Sequence, residues 1–257
     1  DAKYDALPNQ SVTVSTTDND TAAFTVTETG GSTAVSESGG TDTFSVVLGS
    51  EPTGNVVFSL TAGDSTEVSL SASVLTFGTS NWSTAQTVTV TGVNDNVSDD
   101  NVTSTITVAI NQNSTADAKY DALPNQSVTV STTDDDTAAF AVTESGGSTV
   151  VAESGSTDAI AITLSSEPTG NVVFSLTNSD NETSLSASTL TFTSSNWDSA
   201  QNVTITGVDD NIDDDNVTST ITVAINQGST ADIKYDAVDN KTVSVTTTDN
   251  DSVPTLT

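Results

Sequence analysis

Val102-Thr103-Ser104-Thr105-Ile106-Thr107-Val108-Ala109-Ile110 sets the fold class. Val102, Ile106, Val108 and Ile110 alternate with Thr103, Thr105 and Thr107, a period of two. That period puts the apolar residues on one face of an extended strand and the hydroxyls on the other, and a helix would scatter them. The same reading holds on both sides. Val56, Phe58 and Leu60 alternate with Val57 and Ser59, Val88 and Val90 with Thr87, Thr89 and Thr91, and Val128 and Val130 with Ser127, Thr129 and Ser131. These residues are β-branched or aromatic, as half-buried strands require. Turn signals separate the runs at Gly30-Gly31, Gly39-Gly40, Pro52-Thr53-Gly54, Ala62-Gly63-Asp64 and Asn94-Asp95-Asn96. No stretch has a helical apolar stripe. About seven short strands in roughly 115 residues predict an all-β chain of antiparallel β-sandwiches.

The sandwiches come in tandem. Asp1 to Asp18 recurs unchanged from Asp117 to Asp134, and again in looser form from Asp232 to Asp249. Glu51-Pro52-Thr53-Gly54-Asn55 pairs with Glu167-Pro168-Thr169-Gly170-Asn171, and Ser80-Asn81-Trp82 with Ser195-Asn196-Trp197. The second copy is one residue shorter, between Leu176 and Glu182. The triplets Asp18-Asn19-Asp20, Asp134-Asp135-Asp136 and Asp249-Asn250-Asp251 place the boundaries. Residues 1–20 read as the last strand of a preceding repeat, 21–136 as repeat 1, 137–251 as repeat 2, and 252–257 as the start of another. No Gly/Ser/Pro linker intervenes, so consecutive sandwiches are expected to couple stiffly. The strand at 1–20 would find its partner in a missing repeat or in a neighbouring molecule.

The chain carries 35 acidic residues against four lysines and no arginine, a formal charge of −31. Such a field repels nucleic acid and anionic lipid, and no apolar run is long enough to span a bilayer. Absence of Cys and His removes disulfides, zinc sites and the usual nucleophile–base pairs. Absence of Met and of a leader suits an internal or processed part of something larger.

The acids are not evenly spread. Val93-Asn94-Asp95-Asn96-Val97-Ser98-Asp99-Asp100-Asn101 and its copy Val208-Asp209-Asp210-Asn211-Ile212-Asp213-Asp214-Asp215-Asn216 cannot enter an apolar core and lie between strands, so they are loops. Each repeat has four acidic stations at strand ends. In repeat 1 they are Glu37, Glu67, Asp95 with Asp99, and Asp134 with Asp136. In repeat 2 they are Glu153, Glu182, Asp209 and Asp210 with Asp214, and Asp249 with Asp251. Calcium takes six to eight oxygen ligands, chiefly carboxylates and carbonyls, and sandwich loops gather at the ends of the strands. Recurrence of the stations in both copies favours a Ca2+ cage over scattered solvated acids.

These residues resemble the Calx-β family, the sandwich of the calcium-regulatory domains of sodium–calcium exchangers, and most of all its bacterial forms strung in tandem in large cell-surface proteins. Val35-Ser36-Glu37-Ser38-Gly39-Gly40-Thr41 is similar to the family's Val-x-Glu-x-x-Gly. Glu67 falls where the family has an acid before its middle strand, Leu75-Thr76-Phe77. Gly92 to Asp99 is similar to its acidic loop, and Asp134 with Asp136 to its closing triplet. The resemblance implies an immunoglobulin-like sandwich and puts calcium ligands at these positions. It implies the same for Glu153, Glu182, Asp209, Asp210, Asp214, Asp249 and Asp251. Asn94 stands where repeat 2 has Asp209, so repeat 1 is expected to bind fewer ions or bind them more weakly. The family's further Glu beyond the loop is replaced by Val102 and Val217.

The remaining features have blander readings. Trp82 and Trp197 suit caps on the sandwich edge better than sugar platforms. Tyr4, Tyr120 and Tyr235 suit a packed tyrosine corner. Asp42, Asp100, Asp198 and Asp215 read as solvated charge, and Asp213 as a bystander. Thr87, Thr89 and Thr91 read as outward strand residues, not an ice-binding array. Sequons such as Asn81, Asn96 and Asn202 are open to glycosylation in a host that modifies surface proteins. Paired carboxylates can serve glycosidases, but repetition at every joint without an aromatic groove argues against an enzyme. Three functions remain: a calcium-stiffened extracellular stalk that spaces an adhesin, a surface layer or fibre assembled through residues 1–20, and a calcium sensor for an attached domain. The expected partners are neighbouring repeats of the same chain and, in a fibre or surface layer, further copies of it.

Overall fold

A computed structural model describes residues 2–252. The expected start of a further repeat, save Ser252, lies outside the described residues. In repeat 1 the strands are β1 (Phe24–Glu28), β2 (Thr33–Ser36), β3 (Thr41–Leu48), β4 (Val56–Ala62), β5 (Val68–Leu70), β6 (Val74–Phe77), β7 (Gln86–Gly92), β8 (Val102–Ile110) and β9 (Gln126–Thr133). They form a four-stranded sheet, β1-β3-β7-β5, facing a five-stranded sheet, β2-β9-β8-β4-β6. Repeat 2 repeats this order with β10 (Phe140–Glu144), β11 (Thr149–Ala152), β12 (Thr157–Leu164), β13 (Val172–Asn178), β14 (Thr183–Leu185), β15 (Thr189–Phe192), β16 (Gln201–Gly207), β17 (Val217–Ile225) and β18 (Lys241–Thr248).

The chain is all-β, as expected, but each sandwich has nine strands and one parallel pairing. Gly30 and Gly31 take φ of 73° and 84°, left-handed values that cost a glycine little. They break the first strand in two. β1 stays antiparallel to β3, whereas β2 crosses to the opposite sheet and runs parallel to β9. β11 and β18 do the same.

The alternation of β8 survives in three dimensions. Ser104, Ile106, Val108 and Ile110 are buried, while Thr103 and Thr105 face water. Across the core, Phe24, Phe58 and Phe77 pack edge to face, with centroids 4.9 and 5.8 Å apart. Phe140, Phe174 and Phe192 repeat the arrangement at 4.9 and 5.7 Å. Such aromatic contacts contribute about 0.5–1.5 kcal/mol each beyond area burial. Trp82 and Trp197 are half-buried against the two cores, as caps should be. Tyr120 and Tyr235 are 1% exposed, and each hydroxyl donates to a backbone carbonyl, Ser50 O and Ser166 O, at 2.7 Å.

Residues 2–20 form no strand. Tyr4, Leu7, Val12 and Val14 are exposed, and Tyr4 makes no tyrosine corner. The identical sequence at 117–134 forms a short helix, α1 (Ala118–Asp121), and β9. The physical difference is the partner. β9 lies between β8 and β2, and residues 11–18 have no such neighbours among the described residues.

Repeat 2 meets repeat 1 at the latter's acidic loop. The Glu167 N–H donates to Asn96 O at 2.6 Å, Val97 lies opposite Glu167 in a parallel bridge, and the Lys234 ammonium pairs with the Asp100 carboxylate.

Candidate metal centres at the loop ends

Backbone hydrogen bonds draw the four acidic stations of repeat 1 to one end of the sandwich. Glu37 follows β2, and its N–H donates to Thr133 O at 3.1 Å, beside the closing triplet. Val93, which opens the acidic loop, donates to Glu67 O at 2.9 Å. Asp100 N–H donates to Asp134 Oδ2 at 2.9 Å, and Asp136 N–H to Asp134 Oδ1 at 2.7 Å. Asp95 Oδ1 accepts from Val97 N–H at 2.7 Å, which turns the loop back on itself. Gly92 permits the approach. A Cβ there would collide with the Ser36 carbonyl, so only glycine lets β7 end against the residue before Glu37. Gly207 stands in the same relation to Ala152.

The result is a crowded acidic end. One oxygen each from Glu37, Glu67 and Asp99 lies within 4.8 Å of the others, and so does a second set from Glu37, Asp95 and Asp136. Glu37 and Glu67 are only 1% and 4% exposed. Glu37 Oε2, Glu67 Oε2 and Asp99 Oδ1 are buried with no hydrogen-bond partner. A carboxylate oxygen left without a partner is costly unless the group is protonated or held by a cation. Burial, followed by Asp95, Asp134, Glu67 and Asp99, pushes the Glu37 carboxyl up to about 7. Burial is also the first cause that raises Glu67, Asp99 and Asp136, with neighbouring carboxylates adding to it.

Repeat 2 builds its end from the same bonds. Glu153 N–H donates to Thr248 O at 3.1 Å, and Val208 N–H to Glu182 O at 2.9 Å. Asp215 N–H donates to Asp249 Oδ2 at 3.1 Å, and Ile212 N–H to Asp210 Oδ1 at 2.7 Å. Oxygens of Glu153, Asp214 and Asp249 lie within 4.8 Å of one another. Glu182, Asp209, Asp210 and Asp251 fall outside this set. Asp209 instead accepts from the Asn250 side chain at 3.0 Å. Asp251 Oδ2 is buried without a partner. Glu153, Glu182 and Asp251 are raised, again with burial as the first cause.

Among the described residues repeat 1 therefore gathers two sets and repeat 2 one, although repeat 1 was expected to be the poorer. Asn94 is not among the gathered groups; its side-chain amide donates to Asp95 O at 2.6 Å. Asp134 lies outside both sets, with each oxygen accepting a backbone N–H, which suits it to hold the loop in place.

Several acids read as solvated have structural partners. Asp42 accepts from Ala34 N–H at 2.9 Å and ties β2 to β3, and Asp100 pairs with Lys234. Asp117, not singled out in the sequence, is 3% exposed and accepts from Thr53 N–H at 2.7 Å. That bond, the first of several, holds its carboxyl below the usual range. The signal for Lys234 was present: three of only four lysines, Lys3, Lys119 and Lys234, stand at one repeat position, 116 and 115 residues apart.

Fold and site together define a class of protein, paired β-sandwiches that each end in a crowded set of carboxylates. No family model matches the sequence, and no curated protein matches it. Similar solved structures include the D0-D1 domain of Intimin, at 16% identity over 86% of this chain and 97% of that one, with a TM-score of 0.30. CBD12 from CALX1.2 matches at 16% over 77% and 79%, with a TM-score of 0.32. The calcium binding domain CBD12 of CALX1.1 matches at 15% over 78% and 79%, with a TM-score of 0.31.

Proposed function

We propose that the chain is a calcium-stiffened structural segment of an extracellular surface protein, a non-enzymatic stalk or extender built from the repeats 21–136 and 137–251. The observation that carries this reading is the set of buried carboxylate oxygens without partners on Glu37, Glu67 and Asp99. With no His or Cys in the chain, the donor set is oxygen alone, which suits a hard cation such as Ca2+. Glu37, Glu67, Asp95, Asp99 and Asp136 would hold it in repeat 1, with Asp134 fixing the loop. Glu153, Asp214 and Asp249 would hold it in repeat 2, with Glu182, Asp209, Asp210 and Asp251 in support. The ion would supply charge neutralisation. The chain's own residues do the rest: Glu37 N–H ties the end of β2 to the last strand, Asp134 ties that strand's end to the acidic loop, and that loop meets the next repeat. Extracellular modules bind calcium at roughly 10⁻⁴–10⁻³ M, so such a segment would be loaded outside the cell.

Thermal unfolding in chelator, in millimolar calcium and in millimolar magnesium tests the reading. Millimolar calcium is about 1 to 10 times such a Kd and is expected to add about 0.4–1.4 kcal/mol per site, with calcium ahead of magnesium. An unchanged melting temperature across the three conditions overturns it.

One observation favours a second reading. Val12 and Val14 are exposed in a segment whose sequence forms a central strand elsewhere in the same chain. Residues 11–18 would then add to a sheet of another molecule in a fibre or surface layer. Deleting residues 1–20 would shorten such polymers, and a strictly monomeric parent chain would exclude them.

A further inference from the structure

The outer face of the four-stranded sheet differs between the two repeats at one place. In β12, Ile160 and Ile162 are buried and alternate with Ala159 and Ala161, so the two alanines face outward. Thr143 of β10 and Asn202 of β16 lie directly opposite Ala161, one on each side. Two methyl groups thus form a floor between taller polar side chains. Thr143, Glu144 and Ser145 make one wall and Asn202 the other, around a cleft of about 420 Å³, a size within the range of small-molecule sites.

Repeat 1 carries larger residues on the floor. Thr43 and Ser45 stand where repeat 2 has Ala159 and Ala161, and Thr87 stands in place of Asn202. Thr43 reaches across to Thr29, hydroxyl to hydroxyl at 2.7 Å, a bridge that Ala159 cannot make with Ser145. The carboxylate of the wall is kept. The Thr33 hydroxyl donates to Glu28 Oε2 at 2.8 Å, and the Thr149 hydroxyl to Glu144 Oε2 at 2.9 Å. That bond fixes the Glu144 side chain and leaves its other oxygen to accept from a ligand.

The lining restricts what can bind. Two methyls on alternate strand residues lie roughly 6.4–6.8 Å apart, about the span of a pyranose ring. Around them stand a carboxylate that accepts, an amide that donates and accepts, and two hydroxyls, the partners that sugar hydroxyls need. Glu144 and the formal charge of −31 disfavour an anion.

We propose that this cleft of repeat 2 binds a neutral pyranose, its C–H face on Ala159 and Ala161 and its hydroxyls shared between Glu144 and Asn202. The ring has two sources. It comes with a saccharide from outside, or it is attached to Asn202 itself, which heads the sequon Asn202-Val203-Thr204. The cleft shares no residue with the carboxylate clusters, so the proposal stands apart from the calcium reading.

Saturation-transfer NMR on the whole unglycosylated chain, in chelator, tests it with the methyl glycosides of glucose, galactose, mannose and N-acetylglucosamine. At least one is expected to bind with a millimolar Kd, as suits a ligand of about a dozen non-hydrogen atoms in an open cleft. Ala159→Thr, Ala161→Ser and Asn202→Thr together give repeat 2 the residues that repeat 1 already accommodates, and should weaken binding by about tenfold or more. Asn202→Thr alone changes only an exposed position and should weaken it about fivefold. Binding by none of the four sugars, or equal binding by the parent and the triple variant, overturns the proposal. A preference of about tenfold for glucosamine over glucose also overturns it, since the cleft is then an ammonium site. Peptide mass mapping of the chain from its native source separates the two sources: a sugar mass on Asn202 assigns the attached ring, and an unmodified Asn202 the free saccharide.

Discussion

Glu37→Gln should stabilise repeat 1 without calcium and destabilise it with calcium. Glu37 is 1% exposed and its carboxyl is pushed up to about 7 by burial and by four neighbouring carboxylates, from an ordinary value of 4.5. A carboxyl whose folded pKa is raised keeps its proton in the folded state where the unfolded chain has lost it. Folding stability is then highest below about pH 4.5, falls as pH rises toward 7, and stays low above that. The full shift corresponds to roughly 3 kcal/mol, and solvent near the loop end reduces it to about 2 kcal/mol. Glutamine has the same shape and no charge to desolvate, so in chelator at pH 8 the variant should gain about that much. In a domain of about 100 residues, each kcal/mol moves the midpoint by about 4–8 °C. In saturating calcium the order reverses, because a neutral amide oxygen is a weaker ligand than the carboxylate it replaces. Thermal melts in a Trp197→Phe background let Trp82, packed on the first core, report repeat 1 alone. Parent and variant melting alike in chelator at pH 8, or the variant melting lower there, refutes the reasoning.

Other perturbations follow from the same structure. Gly92→Ala should cut calcium affinity, measured by calorimetry, at least tenfold while leaving the sheets intact by circular dichroism, since its Cβ would push Ser36 and Glu37 away from the loop. Phe58→Ala removes the central ring of an aromatic trio and should cost about 3–5 kcal/mol in urea unfolding, read on Trp82. Tyr120→Phe deletes the 2.7 Å bond to Ser50 O and should cost about 1 kcal/mol in the same assay. Lys234→Met should leave each repeat's stability within about 0.5 kcal/mol, because Asp100 is exposed, yet speed proteolysis between the repeats.

The strands were legible because alternation is local. β8 needs nothing beyond its own nine residues to show which face is apolar. The parallel β2–β9 pairing was not legible, since it follows from how far two glycines turn the chain and from which sheet lies within reach. The acidic stations were visible as residues at strand ends. Which of them share a site depended on distances between loops: Glu37 joins Glu67 and Asp99, while Asn94 and Asp209 turn to neighbours in their own surroundings. Asp100 looked like solvated charge because its partner, Lys234, lies 134 positions away in sequence.

One comparison separates the two sources of information. Residues 2–18 and 118–134 have the same sequence. The second copy is a buried strand, with Val128 and Val130 at 1% and 0% exposure, and the first is exposed and forms no strand, with Val12 and Val14 at 86% and 79%. The sequence by itself determined that this segment can be a strand, and which of its faces would be apolar, because side-chain direction alternates along any extended backbone. Only the tertiary structure decided whether it is one, because a strand's hydrogen bonds and its buried face both belong to its neighbours. The carboxylate clusters obey the same rule: local sequence sets the charge, and the approach of β2, β7 and β9 decides where it is concentrated.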